Sequence, residues 1–387
     1  MNAEDLNQTI ARYQTYLMAD PTNLTLQLTL ADQLHRAGRF DEALAGYRHC
    51  LLQAPGLPAA RSRMASVLLS CHQFADAEML LRSLLAENAD DPALRHNLGF
   101  SLFYQKRWSE AAECFQQAAG LGLEHPRNTA YWCRSLHHQL QLDEAIKLAQ
   151  HWLTQSPGNE ARCYLAQLYL DHGQMQEAYQ CAREVLASDP GAVDALVVAG
   201  YASAALQEFD EAQAYFVSAV ERQALDARAW QGLGLCYFHL QQFDQAMAAL
   251  GVVVKLAPDN LGNLVALGWA RLMAKDLSGA RQAFDQALAQ DRNFAEAHGG
   301  LAAVLALQGQ HDAARSAIRL ARRLGPAGFG SEFAHAVLLI QQGQAAEGEA
   351  VYDAALARTL PEMSPLPLIE QLRLQAMRKS LGKTRLT

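Results

Sequence analysis

The adjacent pair His137-His138, with Cys133 and His125 close by, is the densest group of metal-ligating side chains in this 387-residue chain. A structural zinc needs four such ligands converging on one point. Neighbouring residues on a helix point about 100° apart, and no second group is spaced to complete the set. No metal site is therefore expected. The phosphate-cradling GxxxxGK[ST] run, the HExxH helix and the GxSxG nucleophile turn are all absent. Seven cysteines (Cys50, Cys71, Cys114, Cys133, Cys163, Cys181 and Cys236) are odd in number and form no CxxC. That pattern suits buried free thiols in a reducing compartment. The expectation is a protein without catalytic residues or cofactor, that is, not an enzyme.

The elements that would position any functional side chain are visible as a repeat. Alanines stand at 43, 77, 111, 145, 178, 212, 246, 280 and 314, and Gly348 continues the series; every step is 34 residues except one of 33. Twelve residues before each lies a second small residue: Ala31, Ala65, Gly99, Cys133, Ala166, Gly200, Gly234, Gly268, Ala302 and Ala336. Small side chains at two fixed positions let a pair of antiparallel helices approach closely, while large apolar neighbours fill the groove beside the contact. Between the two positions an apolar residue precedes a candidate capping residue, as in Phe40-Asp41, Trp108-Ser109, Leu142-Asp143, Phe209-Asp210 and Phe243-Asp244, which predicts a helix start. Prolines Pro55, Pro157, Pro190, Pro258 and Pro326 fall where one unit ends and the next begins.

In the unit starting at Ala227 the residues Trp230, Leu233, Gly234, Tyr237, Ala246 and Pro258 resemble the tetratricopeptide consensus. Other units keep a later aromatic instead, at Tyr47, Phe115, Phe216, Phe284 and Tyr352. The resemblance implies an all-α fold, an α-α superhelical solenoid of helix-turn-helix repeats. Residues 1–23 read as an N-terminal capping helix, 24–360 as ten repeats, and 361–387 as a C-terminal capping helix with a basic tail. In the tenth unit Gly348 lies inside a helix, at a cost of about 1 kcal/mol relative to Ala, and His335 replaces a core leucine.

The same resemblance implies that the first helix of each unit lines a concave groove with its second, fifth, ninth, twelfth and thirteenth residues. Those positions hold His96, Phe100, Phe103 and Tyr104 in the third unit, and Arg127, Arg134, His137 and His138 in the fourth. Tyr201 follows in the sixth, Arg228, Phe238 and His239 in the seventh, and Trp269 and Met273 in the eighth. Aromatics anchor interfaces, and arginines and histidines beside them suit carboxylates. The expected ligand is a protein or peptide, apolar with acidic groups. The clamp with which some members of the family hold a chaperone's terminal carboxylate is incomplete here: Asn97 and Arg127 occupy its slots, but Ser62, Ser66 and Tyr131 stand where lysine, asparagine and arginine are required.

A formal charge of −8 argues against a general nucleic-acid binder. The first residues lack the basic and apolar regions of a secretory signal, and no run reaches the roughly 18 apolar residues of a membrane helix. The expected location is cytoplasmic. The function expected is that of a non-catalytic scaffold or chaperone-like adaptor. The alternative is a regulatory or targeting subunit of a multiprotein enzyme or secretion complex whose catalytic chain is separate. The tenth repeat and its basic tail are the expected place for any self-association.

Overall fold

A computed structural model describes residues 3–325 and 328–359, and in these the backbone forms twenty-one α-helices and no strand. The chain divides into two compact units after residue 161. The first contains a lone helix, α1 (Ala3–Ala19), followed by four hairpins: α2 (Leu24–Arg36) with α3 (Phe40–Gln53), α4 (Pro58–Ser70) with α5 (Phe74–Glu87), α6 (Pro92–Tyr104) with α7 (Trp108–Gly120), and α8 (Pro126–His138) with α9 (Leu142–Gln155). Helix α10 (Asn159–His172) runs across the division and precedes α11 (Met175–Ser188). The second unit continues with α12 (Val193–Ala205), α13 (Phe209–Arg222), α14 (Ala227–His239), α15 (Phe243–Leu256), α16 (Leu261–Met273), α17 (Leu277–Gln290), α18 (Ala295–Leu307), α19 (His311–Leu324), α20 (Phe329–Gln341) and α21 (Ala345–Thr359). The proposed C-terminal cap and basic tail lie outside the described residues.

The 34-residue period has a direct steric cause. A Cβ built on Gly99 would lie 2.9 Å from the Phe115 ring, one on Gly200 2.8 Å from Phe216, and one on Gly268 2.6 Å from Phe284. In these three units the glycine of the first helix is thus the floor on which the aromatic of the second helix rests. Tyr47, Phe115, Phe216 and Phe284 are completely buried, and Tyr352 nearly so. Removing such a ring costs about 3–5 kcal/mol.

Between the two helices of every hairpin the chain reverses through one left-handed residue. Gly38, Gly173, Gly309 and Gly343 supply it without strain, while His72, Lys106, Leu140, Gln207, Gln241 and Lys275 adopt φ between 59° and 68°. This tight reversal shifts the helix starts from the expected places. The N-caps are Arg39, Arg107, Gln141, Glu208 and Gln242, none with a capping side chain, and the apolar residue after each is the first helical residue. Asp41, Asp143, Asp210 and Asp244 therefore act on the helix dipole from inside the first turn. Side-chain caps occur elsewhere, chiefly at first helices: Asn23, Asp91 and Asp226 each accept a backbone N–H.

The end of the second unit departs from the pattern. Helix α20 lies along α18, the first helix of the preceding repeat, more than against α19. The two backbones nearly touch: a Cβ on Gly330 would fall 2.8 Å from the Gly299 carbonyl carbon and 3.0 Å from Gly300 N. Gly299, Ala303 and Ala306, small residues on the expected groove face, make this approach feasible, and Gln341 Nε2 donates to the Ala306 carbonyl at 3.1 Å. Gly348 has its own reason, since a side chain there would meet Ile340 Cγ1 at 2.7 Å and the Ala336 carbonyl oxygen at 2.8 Å. His335 is half-buried beside Arg322, its Nδ1 3.1 Å from the guanidinium.

Candidate binding cleft

In the first unit, α4, α6 and α8 line a cleft of about 610 Å3, with His35 from α2, Trp152 from α9 and Glu160 at the edge. Phe100, Tyr131 and Trp152 are its aromatic lining, and Tyr104, which does not itself line it, packs against Phe100 and Tyr131. Phe100 lies 5.0 Å from Tyr131 and 4.8 Å from Tyr104, ring centre to ring centre, and Tyr104 stacks on Phe74 at 4.9 Å. The Tyr104 and Tyr131 hydroxyls are 3.4 Å apart. Burial, reinforced by that contact, pushes the Tyr131 phenol up to about 12, so it stays neutral as a donor. Tyr104 remains exposed and Phe100 half-buried.

The polar side is built by α6 and α8. Asn128 is fully buried and donates from Nδ2 to the Phe115 carbonyl at 2.9 Å, while its Oδ1 lies 3.0 Å from His96 Nδ1. Burial lowers the His96 pKa below its usual value, so His96 enters the cleft as a neutral ring. Arg134 Nη2 donates to Glu160 Oε1 at 3.1 Å and its guanidinium sits over the Tyr131 ring at 5.4 Å. Arg127 is exposed at the mouth, and its guanidinium makes no ion pair among the described residues.

The side chains expected to line a groove therefore separate. His96, Phe100, Arg127 and Arg134 come together in the cleft, and Tyr104 packs against Phe100 beside it. Phe103 is buried, 4.9 Å from Trp108, and His138 stacks on Trp108 at 4.1 Å with its pKa lowered by burial. His137 and His138 are 6.3 Å apart, and the Cys133 thiol, fully buried, donates to the Ala145 carbonyl. Burial pushes that thiol up to about 12. No group of three or more His, Cys, Asp or Glu among the described residues is arranged to hold a metal.

The expected groove residues of the second unit are packed away. Tyr201 is buried with its hydroxyl donating to the Arg228 carbonyl at 2.9 Å. Arg228 is held by Asp226 at 2.7 Å and Asp194 at 2.8 Å. Phe238 packs against Phe243, and His239 stacks flat on Phe209. Trp269 is 3% exposed, walled in by Phe284, Phe329 and Phe333 at 5.7 to 5.9 Å. Met273 is half-buried against the same core. The placement of Phe103, Tyr201, Phe238, His239 and Trp269 on an open surface is thus corrected: the aromatic residues that open the second helices (Trp108, Phe243 and Phe209) pack on Phe103, Phe238 and His239, Tyr201 is held by the next first helix, and α20 covers Trp269. Tyr131, Trp152 and His35 line the cleft although the groove positions missed them.

The tetratricopeptide repeat family profiles match residues 34–98, 204–260 and 271–327, and a profile described as anaphase-promoting complex, cyclosome, subunit 3 matches 138–219. Anaphase-promoting complex subunit 3 of Schizosaccharomyces pombe is 24% identical over 260 residues, 67% of this chain and 39% of that protein. The BBSome complex member BBS4 of Bos taurus is 24% identical over 316 residues, 81% of this chain and 61% of that one. The chain thus spans less than two thirds of the length of these relatives. Among solved structures, the anaphase-promoting complex hetero-tetramer Cut9–Hcn1 aligns with a TM-score of 0.55 at 18% identity, over 76% of this chain and 59% of that one, a likeness of fold.

Proposed function

Because this chain is a tetratricopeptide repeat protein, we propose that it is a non-catalytic scaffold or adaptor whose first compact unit grips a segment of a protein partner. The single observation behind this reading is the cleft of about 610 Å3, lined by the aromatic rings of Phe100, Tyr131 and Trp152 together with Arg127. Such a wall takes an apolar side chain by burying its surface, at roughly 25 cal/mol per Å2. Arg127 supplies two parallel N–H donors to a carboxylate. The ligand is thus an apolar segment with an acidic group near its anchor. His96, being neutral, contributes a hydrogen bond and no charge. His137, which the groove register also places on this side of α8, stands as a further contact.

The relatives named as members of the anaphase-promoting complex and the BBSome favour the reading as one subunit of a larger assembly, with any catalysis on another chain. A cytoplasmic location, chaperone-like handling of cargo and a place in a secretion complex are finer forms of the same proposal. Self-association through the tenth repeat belongs with them, although the apolar residues of α20 are already buried within the chain. No described helix is long and apolar enough to cross a membrane. Affinity purification of the full chain beside the Phe100→Ala/Arg127→Ala variant tests the reading. Loss of a stoichiometric partner at unchanged melting temperature is expected. Equal recovery by both proteins would overturn the cleft as the site.

A further inference from the structure

Of the ten second helices, nine carry a formal charge between 0 and −2. Helix α19 carries +3, with Arg315, Arg319, Arg322 and Arg323 against Asp312. Its buried side is Ala314, Ile318 and Ala321. On a helix of 100° per residue the four arginines then fall within one arc of about 100°, with Arg322 at its edge nearest the buried side and Arg323 farthest from it. All four are exposed. Arg315, Arg319 and Arg323 are one turn apart, so they form a ladder about 12 Å long.

The four differ in what already holds them. Arg322 forms a two-pronged pair with Glu332, both N–H···O distances 2.9 Å, and ties α19 to α20. Arg315 reaches Asp312 at 3.1 Å, a pair in full solvent and correspondingly weak. Arg319 donates to the Ser316 hydroxyl. Arg323 has no ion pair among the described residues. One charge of the four is structural, and the remaining ones are open to an external anion.

We propose that the outer face of α19 is a docking surface for a carboxylate-rich segment of a partner polypeptide. The residue type fits, because planar guanidinium groups pair with carboxylates through two parallel bonds where lysine gives a point charge. The scale fits too. A net charge of −8 repels an extended polyanion such as nucleic acid or an anionic bilayer. A short acidic segment senses mainly the charges within a Debye length, about 8–10 Å, and that is the reach of this ladder. The exposed face between the arginines holds only Asp312, Ala313 and Ser316, with no large apolar residue to enter a lipid layer. This surface is independent of the cleft.

The test is fluorescence anisotropy of a labelled glutamate-rich peptide against the full chain, with a serine-rich peptide as the control ligand. The comparison proteins are Arg319→Glu/Arg323→Glu and Arg48→Glu/Lys255→Glu, which make the same change in net charge; Arg319→Gln/Arg323→Gln replaces the first if circular dichroism shows it misfolded. The expected result is glutamate-selective binding that weakens with salt and falls on the order of tenfold in the α19 variant but not in the other. Equal binding by all proteins, or no binding by the wild type, overturns the proposal. Tighter binding of a single-stranded oligonucleotide or of phosphatidylserine vesicles, lost in the α19 variant, overturns the assignment to a polypeptide. A wild-type dimer that the α19 variant abolishes assigns the face to a second copy and overturns it as well.

Discussion

Replacement of Trp269 by alanine separates a core role from a ligand-binding one. The indole is 3% exposed and touches Phe284 on one side and Phe329 and Phe333 on the other. An aromatic side chain buries about 150–250 Å2. At about 25 cal/mol per Å2 the loss is about 4–6 kcal/mol, an upper figure because the unfolded chain already shields part of that surface. Truncations of this kind cost about 3–5 kcal/mol in practice. In a stack of repeats stability is a sum of repeat and neighbour terms, so the loss falls on α16 to α21 instead of being spread evenly. Urea titration of the full chain, followed at 222 nm, should show Trp269→Ala unfolding this segment ahead of the rest. A surface residue would shift stability by about 0.5 kcal/mol or less. A loss below about 1 kcal/mol, with a single transition unchanged in midpoint, would refute the packing of α20 over this residue.

Three further outcomes follow from the packing and the charges. Gly330→Ala adds a good helix former, yet its methyl would meet the Gly299 and Gly300 backbone at 2.8–3.0 Å; thermal melts should show a net destabilisation of about 1–3 kcal/mol, where an open site would gain about 1. Leu140→Gly relieves a left-handed residue that is 81% exposed and should raise stability by up to about 1 kcal/mol, read from the denaturant midpoint. Glu78 pays a burial cost that alone would raise its pKa, but hydrogen bonds from Arg82, Gln105 and Arg107 outweigh it and hold the carboxyl below its usual value. A depressed carboxylate stabilises the fold above its unfolded pKa of 4.5, and that contribution is lost as pH falls through the folded value. Stability curves of wild type and Glu78→Gln should therefore converge below pH 4.5 and differ above it.

The repeat was legible because its cause is local and recurs along the chain: Gly99, Gly200 and Gly268 each face one aromatic 16 residues later, as Ala31 does Tyr47 and Ala336 does Tyr352 by the same spacing. The site was less so. The period assumes that every first helix meets its neighbours in the same way, and α20 breaks that rule through the contact of Gly299 with Gly330, a feature of two backbones that leaves only small residues in the sequence. Trp269 is covered for that reason. Arg228 is consumed by Asp194, 34 residues earlier at the same place in the repeat, so the pairing could have been read from the register. Phe100, Tyr104 and Arg127 kept their expected side because α6 and α8 follow the regular stacking. The helix starts were read two residues late, since nothing in the sequences around His72, Lys106 or Leu140 announces a left-handed residue as glycine does at Gly38.

The claim that the cleft holds a partner is tested most directly by site-specific photocrosslinking in the cell from which the chain comes. A benzophenone side chain replaces Phe100 in one protein and, as a control, Leu52 in another, a residue 80% exposed on α3. The account predicts one dominant crosslinked protein from position 100, absent from position 52 and suppressed by Arg127→Glu. Equal yields from both positions, or a position-100 adduct indifferent to Arg127→Glu, would contradict it.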